Sequence, residues 1–536
     1  MSVVTYTFIV FLLCTIVLYY IVPKKIQWVI LLLASLVFYG YAGIEYLFLV
    51  IATAVVVYLF SLRLQKSLDE QEELAKDADR RTARKIKAAE KAKRKKFLVW
   101  ALVIVIGVLA AFKAFGFVLD NIKRFIPYDG LQSIPDWNLI APLGISFYSF
   151  MMISYLVDLY NGRISAQKNF FRYLSYVLYF PHVTQGPIAR YEEVGYQLWE
   201  EHSFNMDTIM RGVWLMLWGF VKKIVIADRI GAFTKEIFGH TFDYHGGIFL
   251  AAGVHVILAI FAFSIQIYCD FSGCMDIVRG TSECFGIVLG ENFRRPYFSQ
   301  TLPEFWRRWH LSLGAFFREY VFYPVSTSKL FLKLNVKIRD HLGNVIGKVF
   351  AASIPILCVW VLTGLWHGAK WNYIAWGLYH GVLICMSTLF EEPLAKLTKA
   401  LRIKTDCISW EIFRMLRTFI LCVIGRLIFM GQGIRSSIWM IRSMVFDHSK
   451  VYNIVDEFSL SGREWRVLIF GCLLLLAVSI AQEIMERRGS TGDVREWLAK
   501  QNIVFKWLVM AAGLAFIAIC GVYGSGAGAS FIYEQF

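Results

Sequence analysis

The sequence predicts an all-α polytopic membrane protein, and three observations support this. Of the 536 residues, 57% are apolar or aromatic and 18% are charged, whereas an ordinary soluble domain has about 25% charged residues. Many stretches reach the roughly 20 mostly apolar residues that a membrane-spanning helix needs. Backbone exposed to lipid must satisfy its own hydrogen bonds, which favours helices over open strands. We therefore expect about eleven transmembrane helices or more, together with some re-entrant helices.

Twelve apolar stretches qualify as spans by length. They lie near 3–22, 27–41, 43–61, 97–118, 140–160, 205–227, 247–269, 349–366, 371–391, 412–430, 465–483 and 505–523. Three further stretches, near 171–188, 270–290 and 301–325, contain charge, Gly or Pro, and we expect broken or re-entrant helices there. The first stretch has neither a basic region before it nor a small-residue cleavage site, so we interpret it as a transmembrane helix rather than a cleaved signal.

The net charge of +16 is typical of a membrane protein whose short cytoplasmic loops are rich in Lys and Arg. The longest polar segment, Arg63–Lys96, has thirteen Lys/Arg and seven Asp/Glu, and its composition favours a solvated or interfacial helix. No aromatic residue interleaves with these charges, which argues against nucleic-acid binding. Placing the basic loops in the cytoplasm puts both the N-terminus and the C-terminus outside.

Polar residues inside apolar stretches divide the chain into three zones. Residues 1–139 hold lipid-like spans and the basic segment, 140–391 hold nearly all intramembrane polar residues, and 392–536 hold closing helices and a tail. Ionisable residues within a membrane are candidates for function, so we expect the chemistry in 140–391. The ten cysteines show no metal-ligand spacing, and we predict no metal site.

Two histidine motifs lie in the middle zone. The first contains Trp306, Arg307, Arg308, Trp309 and His310 in succession. On a continuous helix Trp306 and His310, four residues apart, would share one face, while the arginines would point elsewhere, towards headgroups or an anionic donor. An interfacial amphipathic helix with an aromatic belt is the alternative interpretation.

The second motif runs from Gly364 to Asn372 and contains Trp366, His367 and Gly368. It lies between two apolar segments whose far ends are basic, so we expect His367 at the turn of a helical hairpin. Gly364 and Gly368 would permit close backbone approach. Desolvation disfavours the imidazolium form, and a neutral imidazole is what a general base needs to take a proton from a hydroxyl. A packing role for the histidine is the alternative.

These motifs and several others occur in an order that resembles the membrane-bound O-acyltransferase (MBOAT) family. The resemblance is strongest to the bacterial branch that contains the alginate O-acetylation membrane subunit and the D-alanyl transfer protein of teichoic acids. The matching stretches are Pro142–Tyr148 with Ser154, Tyr155 and Asp158, then Phe180–Arg190, Gly219–Asp228, Gln266–Gly273 and the two histidine motifs. Cys274 stands where the family has a tyrosine, which departs from the pattern.

The resemblance implies a site and a fold. His367 takes the position of the principal catalytic histidine, and His310 that of a supporting or substrate-orienting residue. Candidate substrate-binding residues are Trp306, Trp309, Arg307, Arg308, Trp366, Asn372, Gln266, Asp270 and Tyr533. The implied fold is a ring of helices around a thin partition, with a tunnel from the cytoplasm to the outer face.

The implied reaction is transfer of an acyl group, acetyl being the expected one, to hydroxyls of an exported surface polysaccharide. The donor would be acetyl-CoA or another cytoplasmic thioester, with no bound cofactor, in the bacterial inner membrane. An extracytoplasmic acyltransferase or acceptor protein is the expected partner. The length of the chain and its basic segment favour this function over the alternative of D-alanyl transfer to teichoic acid. A transporter of polymer precursors would require broken helices in both halves of the chain, and these occur only in the middle.

The C-terminal segment has a flexible stretch, Gly524–Ser530, followed by an aromatic ending that contains Tyr533. An interfacial anchor is one interpretation of this ending. The ending also resembles an aromatic C-terminal motif of this acyltransferase branch. By that resemblance Tyr533 would contact the acyl group or carry it briefly as a phenyl ester.

Overall fold

The computed structural model of the chain describes residues 1–126, 134–135, 139–242, 253–431, 433–446 and 460–523. Within these ranges every regular element is a helix, and β-structure is limited to one isolated bridge between Phe293 and Trp309. The predicted all-α class is therefore confirmed.

In the described part of the chain, six helices are long and apolar enough to cross a membrane. They are Ile44–Lys76, Arg80–Lys113, Gly253–Glu283, Ile346–His367, Gly462–Arg487 and Ile503–Cys520. A seventh crossing is obtained if Trp371–Leu389 and Glu391–Ala400, bent by 56°, form one span. Two shorter apolar helices are Tyr6–Ile21 and Ile145–Tyr160. The chain is a multi-pass membrane protein, while the expected number of spans and the ring with its tunnel stay predictions.

Shorter or more polar helices complete the described chain. They are Gln27–Gly40, Phe115–Phe125, Phe170–Leu178, Tyr196–Trp199, Met206–Phe220, Asp228–Phe242, Leu302–Trp306, Leu311–Phe317, Tyr323–Ser326, Ile408–Met430, Ile434–Phe446 and Val494–Ala499. Short 3₁₀ segments occur at Lys24–Ile26 and Pro296–Phe298, and π-helical segments at Tyr191–Gly195, Val221–Ala227 and Arg318–Phe322.

The chain forms two compact units. The first comprises Met1–Val213 with Val278–Gly290, and the second comprises Trp214–Ile277 with Glu291–Phe536. These boundaries follow contacts between residues, whereas the three zones expected from the sequence follow the distribution of polar side chains. The three zones stay a prediction. Both histidine motifs belong to the second unit.

The first unit contains a charged hairpin, which we define as the helices Ile44–Lys76 and Arg80–Lys113. The polar segment expected to form one solvated helix instead supplies the ends of both helices and the turn between them. Asp79 caps the second helix by accepting hydrogen bonds from the backbone of Arg81 (2.9 Å) and Thr82 (3.3 Å). A short polar side chain before a helix satisfies amide groups that the helix leaves unbonded, so the chain turns here.

In the second unit, a long helix leads to the second histidine motif. It runs over Lys329–His367 and is broken at Gly343, whose φ of 89° lies in the left-handed region that glycine adopts without strain. The apolar part after the break, Ile346–His367, is one of the six candidate spans.

The stretch near 270–290 was expected to be interrupted, and this prediction is wrong for residues 270–283. The helix Gly253–Glu283 is continuous. Its two interior carboxylates are matched, since Asp270 pairs with Lys223 and Asp276 pairs with Lys222 at 2.6 Å. Buried charges are tolerated when paired, so residues that favour a break in the sequence are accommodated. The other two stretches, near 171–188 and 301–325, are indeed broken.

Candidate active site

His367 lies at the turn of the predicted hairpin. It is the last residue of Lys329–His367, and Trp371–Leu389 begins after three turn residues. We call these two helices the histidine hairpin. A Cβ atom added at Gly364 would lie 2.4 Å from the Tyr373 carbonyl oxygen, and one added at Gly368 would lie 2.6 Å from the Tyr373 ring. The prediction that these glycines allow close approach is confirmed.

Aromatic rings enclose the His367 side chain, which is 5% exposed. Its ring is perpendicular to those of Trp376 and Phe429, at centroid distances of 4.9 and 5.2 Å. Trp366 lies 4.6 Å away. Edge-to-face contacts of this kind restrict the rotation of a ring, so the imidazole is held in one orientation.

The first histidine motif is not one helix, so the predicted shared face of Trp306 and His310 is wrong. The helix Leu302–Trp306 ends at Trp306, and His310 precedes the next helix, Leu311–Phe317, with a left-handed φ of 49°. Such a φ is uncommon for a residue other than glycine. Asn292 accounts for it, because hydrogen bonds to this residue replace those of a continuous helix.

Asn292 fixes the loop through its backbone and its side chain. Its carbonyl oxygen accepts from the Leu311 amide (3.0 Å), and its Oδ1 accepts from the Ser312 amide (2.9 Å). Oδ1 also lies 3.3 Å from His310 Nδ1. If the hydrogen of the neutral ring is on Nδ1, it is donated to Asn292 and Nε2 remains basic. Nε2 is buried and has no hydrogen-bond partner among the described residues.

His310 and His367 line the same cavity, whose volume is about 100 Å³. Trp306 and Trp309 also line it. Trp366 contacts both imidazoles, at ring distances of 5.6 Å from His310 and 4.6 Å from His367. The structure therefore brings together two buried histidines that are 57 positions apart in the sequence, in a cavity that Trp360 also lines.

The two arginines of the first motif do not line this cavity. Arg308 pairs with Glu304 at 2.8 Å and with Glu483 at 3.2 Å, so its charge is matched within the protein. Arg307 is exposed. The structure thus supports the expectation that the arginines turn away from the histidine, and it gives Arg308 a bracing role.

Three other sequence candidates lie outside the cavity lining. Asn372 donates to the carbonyl oxygens of Phe429 (3.1 Å) and Gly431 (2.8 Å), which anchors the ring that contacts His367. Gln266 accepts from Thr234 at 2.6 Å, and Asp270 pairs with Lys223. These side chains brace helices around the site. Tyr533 lies outside the described residues.

The sequence gives no role to Asn292 or Phe429. Asn292 begins a run, Asn292–Tyr297, that stands out in the sequence just before the first histidine motif, but its bonds to the His310 loop are visible only in the structure. Phe429 is one phenylalanine among 44, and no local pattern distinguishes it. Its contact with His367 arises only from the packing of Ile408–Met430 against the histidine hairpin.

Comparisons with known proteins show which families and proteins the chain resembles. The sequence model of the MBOAT, membrane-bound O-acyltransferase family matches residues 135–338. The chain is 29% identical over 465 residues to the probable alginate O-acetylase of Pseudomonas aeruginosa, covering 87% of this chain and 78% of that protein. It is 26% identical over 441 residues to the peptidoglycan O-acetyltransferase of Helicobacter pylori, covering 77% and 73%.

A third relative is the teichoic acid D-alanyltransferase of Bacillus subtilis, which is 28% identical over 317 residues, covering 55% of this chain and 75% of that protein. His310 lies within the range that the family model matches. The chain therefore carries, at residues 135–338, the domain of the membrane-bound O-acyltransferase family, and it is an acyltransferase.

Proposed function

We propose that the chain transfers an acetyl group from a cytoplasmic thioester, such as acetyl-CoA, to hydroxyls of an exported surface polysaccharide. The observation that carries this proposal is the single cavity shared by His310 and His367. Its acceptor class rests on the relatives, because proteins named for O-acetylation of alginate and of peptidoglycan match most of the chain.

His367 acts as the general base in this proposal. The neutral imidazole takes the proton of the acceptor hydroxyl as its oxygen attacks the thioester carbonyl carbon. The new C–O bond forms, the C–S bond breaks, and the proton passes from the imidazolium to the departing thiolate. Because a thioester is already activated, removal of this proton and correct positioning supply much of the rate. His310, held by Asn292, orients the reacting groups.

The size of the cavity favours a short acyl group. About 100 Å³ holds several water molecules, since a cavity needs roughly 10–15 Å³ of such volume for one water. An acetyl group fits such a space, whereas a fatty acyl chain does not. D-alanyl transfer to teichoic acid is the second candidate, and the teichoic acid relative supports it. That relative matches 55% of this chain, against 87% for the alginate relative.

The proposal also includes a role for the C-terminal segment that contains Tyr533 and an orientation of the chain in the membrane. With both termini outside the inner membrane, Tyr533 would lie on the side where the acceptor is reached. A phenol is a good leaving group, so a Tyr533 ester is a suitable carrier for a second transfer, either to the polymer or to an extracytoplasmic partner. Replacement of Tyr533 by Phe, which keeps an aromatic anchor, should then lower surface acylation. Normal acylation in that variant would exclude the carrier role.

The experiment that tests the function is chemical analysis of surface polymers in cells with and without the protein. Mass spectrometry of groups released by mild alkali distinguishes acetate from D-alanine. We expect polysaccharide-bound acetate to disappear without the protein and to return with the wild-type chain. Loss of D-alanine instead would select the second candidate, and unchanged esters would refute both.

A further inference from the structure

A second, smaller chamber lies beside the catalytic cavity. Its volume is about 30 Å³, and Trp306 and Trp309 line both spaces. His380 and Arg426 line this chamber but not the catalytic cavity, and the other lining residues are mostly apolar or aromatic. We call it the arginine chamber. Neither polar residue takes part in the proposed transfer, so their presence in an apolar site needs another explanation.

Arg426 brings a buried positive charge to this chamber. Arg426 is 7% exposed, and no carboxylate of the described residues lies within salt-bridge distance of its guanidinium. Nη2 donates to the Tyr297 hydroxyl at 3.0 Å, and the guanidinium lies 5.5 Å from the Trp309 ring. Nη1 is buried and has no acceptor among the described residues. Aromatic faces compensate a buried cation only in part, so the described residues do not fully match the charge of Arg426.

Two further nitrogens around the chamber also lack partners in the described structure. They are Nδ1 of His380, a residue that is 1% exposed, and Nε1 of Trp306. The two rings are 4.8 Å apart. The other side of His380 meets Gly425, where an added Cβ atom would lie 2.4 Å from Nε2. Buried polar groups are almost always hydrogen-bonded, and three unbonded nitrogens on residues that line one small cavity point to an occupant that accepts hydrogen bonds.

We propose that the arginine chamber binds a compact monovalent anion. Arg426 supplies the charge and the Nη1 donor, Trp306 supplies an indole donor, and His380 donates in the tautomer that carries its hydrogen on Nδ1. A cavity of about 30 Å³ exceeds the roughly 10–15 Å³ that one water requires, so it accommodates a halide or a short carboxylate. A phosphate diester is too large. Since Trp306 and Trp309 are shared walls, the bound anion also steadies one side of the catalytic cavity.

The test measures stability, so it is independent of acyl transfer. The protein purified in detergent is unfolded by heat in increasing sodium chloride or sodium acetate, with sodium gluconate at equal ionic strength as the bulky-anion reference. A ligand that binds only the native state raises its stability with concentration. We expect the unfolding midpoint to rise by roughly 2 °C in chloride or acetate, with saturation, and not in gluconate.

Variants assign the effect to the chamber. Arg426→Gln should remove the dependence on chloride and acetate, and Arg426→Lys, which keeps the charge, should retain part of it. Arg442→Gln is the matched control, because Arg442 is exposed and should respond like wild type. If Arg426→Gln does not fold, the proposal is tested by comparing how the unfolding midpoints of the wild type and Arg426→Lys depend on chloride and acetate.

Three results would overturn the proposal. The first is an equal unfolding midpoint in all three salts. The second is a dependence of the midpoint on chloride or acetate that persists in Arg426→Gln. The third is a loss of this dependence in Arg442→Gln as large as that in Arg426→Gln. Equal midpoints in all three salts would assign the chamber to water. The salt with the lower half-saturation concentration identifies the anion as a halide or a carboxylate.

Discussion

The charged hairpin and the histidine hairpin have the same secondary structure, yet different interactions hold their helices together. Polar pairs join the charged helices, with Lys93 bonded to Glu70 at 2.7 Å and Arg94 to Gln71 at 2.9 Å. In the histidine hairpin, glycine allows backbone contact, since a Cβ atom at Gly377 would lie 2.2 Å from the Trp360 carbonyl oxygen. The turn of the first hairpin is a capped, exposed end, whereas the turn of the second follows a buried histidine.

The difference teaches how far each hairpin tolerates change. Exposed ion pairs contribute little individually, so the charged hairpin should withstand substitution near its turn. Backbone contact and enclosed rings leave no such freedom in the histidine hairpin. Four predictions test this comparison.

The largest effect is expected from His367→Ala. Removal of the general base should reduce polymer acylation by about 10²–10⁴-fold, while the protein still accumulates in the membrane. Ester analysis and immunoblotting measure the two quantities. His341→Ala is the control, because His341 is exposed and, within the described part of the chain, its side chain bonds to the Lys337 carbonyl of its own helix alone. Acylation at the wild-type level in His367→Ala would exclude a catalytic role.

A smaller loss is expected from His310→Ala, roughly 10- to 100-fold, because misplaced reacting groups slow the transfer. Asn292→Ala should move activity in the same direction, since it frees the His310 ring from its Oδ1 contact. The comparison uses ester release per unit of membrane protein. Equal activity in both variants and wild type would show that His310 serves packing alone.

The packing of the two hairpins can be compared with one kind of substitution. Gly377→Ala forces a methyl group against backbone, and overpacking of this kind costs about 1–3 kcal/mol. Gly107→Ala, in the charged hairpin, meets nothing within 4 Å and should be neutral or stabilising because alanine favours helix. Thermal unfolding in detergent measures both. The comparison fails if the two variants have the same midpoint.

The smallest effect is expected from Lys85→Cys, an exposed position on the charged hairpin. Activity should equal that of the wild type. An impermeant thiol reagent should label the introduced cysteine only in membranes whose cytoplasmic face is accessible to it, and not in intact cells. The background lacks exposed native cysteines. Labelling from outside intact cells would reverse the predicted orientation.

Local patterns predicted those parts of the site that depend on neighbours in sequence. The hairpin turn at His367 and the approach at Gly364 and Gly368 follow from glycines between apolar segments, and the structure confirms them. The shared face of Trp306 and His310 was wrong because Asn292, distant from His310 by 18 positions, fixes the loop. Helical spacing holds only where the backbone stays helical.

Motif membership also failed to separate residues that touch the cavity from residues that brace it. Gln266, Asp270 and Asn372 lie in matching stretches, yet each bonds to a neighbouring helix or loop. A family pattern preserves both kinds of residue, and one sequence contains no distance information with which to tell them apart. The charged segment was expected to form one helix because residues that favour helix lie on both sides of Asp79. The sequence alone does not show that the chain reverses direction there.

The break at Gly343 limits the part of the helix that positions His367. Only the residues between Gly343 and His367 form a continuous helix with it. An α-helix turns about 100° and rises about 1.5 Å with each residue. One residue inserted between Gly343 and His367 would therefore rotate the imidazole away from His310 or force Ile346–His367 to slide. One residue inserted before Gly343 is absorbed at the bend. We therefore expect an insertion ahead of this glycine to be tolerated, whereas the segment after it needs a fixed register.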